Sequence, residues 1–297
     1  MLTRMATRQV TIGTHGPFSL REAALFGFGH RAETQFDGVL RLAFCVDGDY
    51  DTAAAVAVRQ QGEQLVLDIE SAADPAVVAA QVARVVSCTP AATEYLALGA
   101  RDPVVGALQA AAPGLRPVLF HSPYEAAVWS ILSARRARSQ GVGLRERLNA
   151  LAGQSFHIAG RQLACLPGPT RLLQLEGLPG LPADRIPRLH AVARRALDGG
   201  LDAAHIQAIG QAAAEAELRT LPGIGPFYSE LISVRASGLD DALPLAEAIS
   251  REHVARLYAA PVGTDAEFTA VAQRWRPVRA WAVVLIRAAA DRLPARD

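Results

Sequence analysis

Between Arg219 and Glu230 the chain reads Arg-Thr-Leu-Pro-Gly-Ile-Gly-Pro-Phe-Tyr-Ser-Glu, and few backbone shapes accept that string. A helix ends near Arg219, and the next cannot start before Pro226, whose fixed φ suits a first helical turn. The intervening Leu221-Pro222-Gly223-Ile224-Gly225 must reverse the chain, and its two glycines accept the positive φ values that side chains forbid. Such a hairpin leaves the first N–H groups of the second helix facing outward, a geometry suited to gripping a phosphate of DNA. The same residues suit an ordinary corner between two helices with glycine at the caps. The hairpin alone leaves both readings open.

The surroundings divide by period. Gln9–Ile12, Gly38–Cys45, Ala54–Arg59 and Gln64–Ile69 read as strands, the last two alternating as in a half-buried sheet. Helical spacing covers Leu20–Phe28 and Ala76–Val86, the latter capped by Asp74 ahead of Pro75. Gly27-Phe28-Gly29 with His30 reads as a turn. From Thr93 onward no strand signal remains, and Pro and Gly separate short helices at Pro123–Arg138, Gly143–Ala152, Arg185–Leu197, Ala212–Arg219, Pro226–Ser237 and Val278–Asp291. The fold class is α+β: a small α+β unit over residues 1–97, then a helical body over 98–297. The body divides into one lobe over about 121–238 and a second over about 98–120 plus 239–297.

Composition removes several functions. All 30 basic residues are arginine, which excludes a P-loop nucleotide site and any Schiff base on a lysine amine. Cys45, Cys88 and Cys165 are scattered and fit neither a disulfide framework nor a zinc site. The seven histidines show no metal-binding spacing. Trp129, Trp275 and Trp281 are expected in the core. No apolar run reaches the ~18–20 residues of a membrane helix, and the opening Met1–Gly13 lacks a signal-peptide stretch, so the expectation is a soluble, cytoplasmic protein. Residues 1–100 carry 7 Arg against 11 acids and residues 101–297 carry 23 against 18, netting −4 and +5. That balance permits nucleic-acid binding without requiring it.

The residues beyond the hairpin narrow the field. After Gly238 comes Asp240-Asp241-Ala-Leu-Pro244-Leu-Ala-Glu247-Ala-Ile-Ser-Arg251. Together with Leu221–Gly225, this resembles the helix-hairpin-helix DNA glycosylases of base-excision repair, in particular the bacterial 3-methyladenine DNA glycosylase II branch. In that family the hairpin is followed by Pro-x-x-Asp with a catalytic aspartate, and an ungapped count puts Glu247 there, three residues after Pro244. The resemblance extends over most of the chain. It includes Pro113–Arg116, Tyr124–Leu132, Leu166–Leu172 with Leu178-Pro-Gly180, and Trp275-Arg-Pro-Val-Arg-Ala-Trp281. It implies a TATA-binding-protein-like N-terminal unit, a two-lobed helical core, and double-stranded DNA with alkylated bases as the partner of a monomer. It implies no nucleotide cofactor and no membrane, and a cell in which the protein joins the nucleoid while acting. The hairpin carbonyls of this family can hold a monovalent cation; no other metal is implied.

The departures are specific. Glutamate replaces aspartate. Arg287 and Ala288 stand where aromatic pocket walls are usual, Leu231 replaces a common aromatic, and Phe227 keeps one. The loop that inserts an apolar wedge into DNA in this family reads Ser133-Ala134-Arg135, so Arg135 is the wedge candidate; among Arg136 and Arg138 it also reads as a surface arginine. Members that cleave the strand place a lysine at the position of Phe227, which leaves the monofunctional, water-mediated route here. Three cysteines exclude the iron–sulfur branch. Glu247 has the chemistry to stabilise an oxocarbenium ion, and equally suits a solvent-facing helix start. It is expected at the mouth of a cleft between the lobes, on the face that carries the hairpin. Two functions are open to such a chain: a glycosylase releasing alkylated purines such as 3-methyladenine, or a weak or inactive DNA-binding relative that recognises damage without excision.

Overall fold

The computed structural model describes residues 6–27 and 33–293. Phe28, Gly29 and His30 of the turn read from the sequence lie outside the described residues.

The N-terminal strands form one antiparallel sheet. β1 (Arg8–Gly13), β2 (Leu40–Val46), β3 (Asp49–Gln61) and β4 (Gln64–Ser71) stand in the order β1-β4-β3-β2. Alternation sets its faces: Leu65, Leu67 and Ile69 of β4 are buried, while the residues between them are partly exposed. The buried face packs on α1 (Leu20–Ala24) and α2 (Pro75–Val85), and Asp74 caps α2 by accepting the Ala76 N–H at 2.9 Å. α1 is shorter than the helical spacing predicts, because the chain turns at Leu25 and Gly27 adopts a left-handed φ of 64°.

The opposite face carries the small buried side chains Ala43, Ala53, Ala55 and Ala57, and a second hairpin covers that patch. That hairpin, β5 (Ser155–Ile158) with β6 (Arg161–Ala164), sets Phe156 and Ile158 against the alanines. It corrects the expectation of no strand beyond Thr93: each strand is four residues long, and its burying partner lies about a hundred residues away in the chain.

The helical part comprises α3 (Ala91–Arg101), α4 (Pro103–Ala111), α5 (Pro123–Ser133), α6 (Arg138–Ala152), α7 (Pro169–Leu172), α8 (Ile186–Leu197) and α9 (Ala203–Leu218). α10 (Pro226–Arg235), α11 (Ala248–Tyr258), α12 (Asp265–Ala272) and α13 (Arg279–Ala289) complete it. The helix expected over Pro123–Arg138 stops at Ser133, since Arg135 adopts a left-handed φ of 58° that no helix interior accepts. α9 begins well before the expected Ala212 and breaks at Gly210, where φ is 76° and ψ is 170°.

Two large apolar cores organise these layers. The first runs from Leu42, Val56 and Leu67 of the sheet through Tyr95 and Leu108 to Trp275, Trp281 and Leu285. The second gathers α5, α6, α8, α9 and α10 around Ile131, Leu148, Leu189, Leu218 and Ile232, with Trp129 at its margin. A buried ionic cluster ties them. The Glu125 carboxylate of α5 accepts from Arg145 Nη2 at 2.8 Å and from the Cys45 N–H of β2 at 3.2 Å, and meets His121 Nδ1 at 3.0 Å. Burial pushes that carboxyl up, but His121, Arg145 and the Cys45 N–H together outweigh it and hold Glu125 down at about 2.

Candidate active site

The turn between α9 and α10 is built as its residues require. Leu221 and Ile224 are buried, whereas Pro222 and Gly223 face solvent, and the Ile224 N–H closes on the Leu221 carbonyl at 3.0 Å. Gly223 has φ +95°, and a Cβ there would meet Ile131 Cδ1 at 3.0 Å and Arg188 Cδ at 3.2 Å. Gly225 departs from the expected positive φ. It is the extended N-cap of α10, with φ −96° and open space where a Cβ would stand. Pro226 then occupies the first turn, where its missing N–H costs nothing. One glycine is demanded by conformation and the other keeps the helix start uncovered.

Four arginines gather beside this turn. Arg188 of α8 packs against Gly223, and Arg185 donates through Nη1 to the Ile131 carbonyl at 3.0 Å. Burial, then the neighbouring guanidinium groups of Arg188, Arg136 and Arg135, hold Arg185 below its ordinary value. The crowding of like charge marks a surface that an anion would relieve. Arg135 is exposed on the α5–α6 turn, in a conformation uncommon for any residue but glycine. The sequence reading named Arg135 and missed Arg185 and Arg188; their i,i+3 spacing at a helix start, close to the hairpin only in space, was the available signal.

A cavity of about 430 Å³ opens between α10, α11 and α13, within the ~300–1,000 Å³ typical of small-molecule sites. Phe227, Leu231, Glu247 and Arg287, four of the residues singled out by sequence, line it together, and Arg135 is not among its walls. Phe227 and Ile249 leave 47% and 43% of their surface exposed, so two large apolar side chains stand bare on its walls. Sequence reading missed Ile249, whose only signal is its place two residues beyond Glu247.

Glu247 is the N-cap of α11. Its Oε2 accepts the Ser250 N–H at 2.6 Å, which puts the charge at the positive end of that helix. Its Oε1 lies 3.9 Å from Arg287 Nε, a loose pair in which both side chains are partly exposed. The neighbouring carboxylates are engaged elsewhere. Asp241 pairs with Arg279 at 2.9 Å and Arg276 at 3.2 Å, and Asp240, pushed up by burial, accepts from Trp281 Nε1 at 2.8 Å. Neither lines the cavity with Glu247.

Among the described residues no group of three or more His, Cys, Asp or Glu is placed to hold a metal ion, and no helix is long and apolar enough to cross a membrane.

No protein-family model matches the sequence, and no curated protein matches it. Solved structures do. A 3-methyladenine DNA glycosylase from Archaeoglobus fulgidus aligns with a TM-score of 0.74 at 18% identity, over 93% of this chain and 96% of its own. The Clostridium acetobutylicum 8-oxoguanine glycosylase/lyase in its apo form gives 0.71 at 16% identity, over 96% and 98%. The Schizosaccharomyces pombe 3-methyladenine DNA glycosylase in complex with abasic DNA gives 0.51 at 17% identity, over 66% of this chain and 95% of its own. What these three share with the present protein is architecture: the chain has the helix-hairpin-helix DNA glycosylase fold.

Proposed function

We propose that this protein is a monofunctional DNA glycosylase of base-excision repair that hydrolyses the N-glycosidic bond of alkylated purines such as 3-methyladenine in duplex DNA. One observation carries the reading: the Glu247 carboxylate stands in the wall of an apolar cavity whose walls include the first turn of the hairpin's second helix. DNA held by the hairpin would therefore present an extruded base to that cavity.

Each part has a physical task. The N–H groups at the start of α10 and the arginines beside Gly223 hold the backbone. Arg135 fills the space that the extruded nucleotide leaves. Phe227 and Leu231 give the base an apolar wall, and Arg287 pairs loosely with Glu247 beside it. An alkylated purine already carries positive charge, so its C1′–N bond breaks with the electron pair leaving on the base, which departs neutral. The sugar is left as an oxocarbenium ion, and Glu247 stabilises it and orients the water that adds to C1′ and releases its proton. The chain holds no lysine to attack the sugar, and Phe227 stands where strand-cleaving relatives carry one.

The test is product analysis on alkylated duplex DNA. Free base should appear with intact strands that break only after alkali, and borohydride should trap no adduct on an internal residue. Strand cleavage without alkali, or such an adduct, would contradict the reading. One observation favours a second: both oxygens of Glu247 already have partners, Ser250 N–H and Arg287. That suits a relative that binds damaged DNA and excises slowly or not at all, and the same assay separates the two.

A further inference from the structure

The segment ahead of Glu247 has no regular secondary structure from Leu243 to Leu245, yet side chains from three helices hold its backbone. Gln211 of α9, just past the break at Gly210, donates to the Leu243 carbonyl and accepts the Leu243 N–H, both at 2.9 Å. Arg251 of α11 donates to the Leu245 carbonyl from Nε at 3.0 Å and from Nη2 at 2.8 Å. Glu230 of α10, itself 7% exposed, accepts the Ala246 N–H through Oε2 at 2.7 Å. Ala246 is the last residue before Glu247.

Glu230 is the odd member of this set. Burying a carboxylate is costly unless a cation or several donors compensate it. The guanidinium nearby, Arg219, pairs with Glu215 at 2.8 Å rather than with Glu230. Burial pushes the Glu230 carboxyl up and Glu215 adds to that push, while the Ala246 and Leu245 N–H groups and the more distant Arg219 charge pull it down without cancelling the rise. A residue chosen for stability alone would be apolar here. A charged acceptor against the amide next to Glu247 is instead a device for fixing where Glu247 stands.

We infer that Glu230 is the positioning residue for Glu247: by holding the Ala246 N–H it sets the distance between the Glu247 carboxylate and a sugar presented to the cavity. The inference rests on the proposal that Glu247 performs the chemistry. Glu230 stands in the cavity wall, but it is 7% exposed and its Oε2 is taken up by the Ala246 N–H, so it acts on Glu247 through the backbone.

Three substitutions test it. Glu230→Gln keeps an acceptor oxygen and should retain single-turnover base release within about threefold. Glu230→Leu keeps the volume and loses the acceptor. A drift of ~1 Å in Glu247 would then lower the rate on the order of a hundredfold, with the Kd for abasic duplex DNA unchanged. Glu230→Asp withdraws the acceptor by one methylene, folds with the charge retained, and should fall between the two. Hydrogen exchange at the Ala246 amide gives a readout free of turnover: protection should drop at least tenfold in Glu230→Leu and persist in Glu230→Gln. Unchanged release or unchanged Ala246 protection in Glu230→Leu would overturn the inference, as would losses in rate and Kd that track the melting temperature. If instead Glu247→Gln releases base as fast as the parent, the reading of Glu247 fails and this inference fails with it. Loss in Glu247→Gln with none in Glu230→Leu sinks the inference alone.

Discussion

Arg287 Nε lies 3.9 Å from Glu247 Oε1, so the carboxylate proposed to face a developing cation already faces a fixed one. The guanidinium offsets part of the field that an oxocarbenium ion would feel. The pair is loose and partly exposed, and pairs of this kind are worth less than about 1 kcal/mol. Arg287→Leu should therefore raise the release of a positively charged base by about two- to fivefold. Release slowed by the substitution would instead show that Arg287 contributes through its hydrogen-bond donors.

The two hairpin glycines should respond differently. At Gly223, with φ +95° and side chains within 3.0–3.2 Å of a Cβ, valine should cost on the order of 1–2 kcal/mol in stability and weaken DNA binding. At Gly225, with negative φ and open space, alanine should change stability by less than about 1 kcal/mol. DNA affinity should still fall, because a methyl group would then cover the helix start. Urea melts and binding titrations of both variants check this. Unchanged affinity in folded Gly225→Ala would remove the backbone grip from the account.

The arginines beside the hairpin should separate into binding and extrusion. Arg188→Ala should weaken binding equally on all sequences and reduce the slope of log K against log salt by about one. Arg135→Ala should leave that slope nearly intact and slow base release instead. Equal effects of both substitutions on slope and rate would show that Arg135 is a phosphate contact only.

Acid should expose the buried cluster under the sheet. Glu125 is held down from an ordinary 4.5 to about 2, so its contribution is complete above 4.5 and is lost as the pH falls toward 2. The melting temperature should be insensitive to this group between pH 5 and 7 and drop below that. Glu125→Gln strands Arg145 in a buried site and should cost about 3–5 kcal/mol at neutral pH. A melting curve of Glu125→Gln matching the parent at pH 7 would refute the cluster's role.

Local physics made part of this protein legible. The alternation of Leu65, Leu67 and Ile69, the Asp74 cap and the Pro226 helix start each follow from a few neighbouring residues, and the structure carries all three. Glu247, Phe227, Leu231 and Arg287 came from resemblance, and packing of α10, α11 and α13 brings them to one cavity. Contacts set by distant partners were illegible. The alanines of β3 give no hint that Phe156 and Ile158 cover them, and Gln211, next to the break of α9 at Gly210, meets Leu243 across thirty-two positions of sequence. Arg188 finds Gly223 across thirty-five positions of sequence.

The central claim is that the Glu247 carboxylate performs the chemistry. Single-turnover release of 3-methyladenine from duplex DNA by the parent, Glu247→Gln and Glu247→Asp tests it most directly. Aspartate shortens the side chain by one methylene and should keep the parent rate or raise it; glutamine keeps the shape, loses the charge and should abolish release while DNA binding persists. Release by Glu247→Gln at the parent rate would contradict the account.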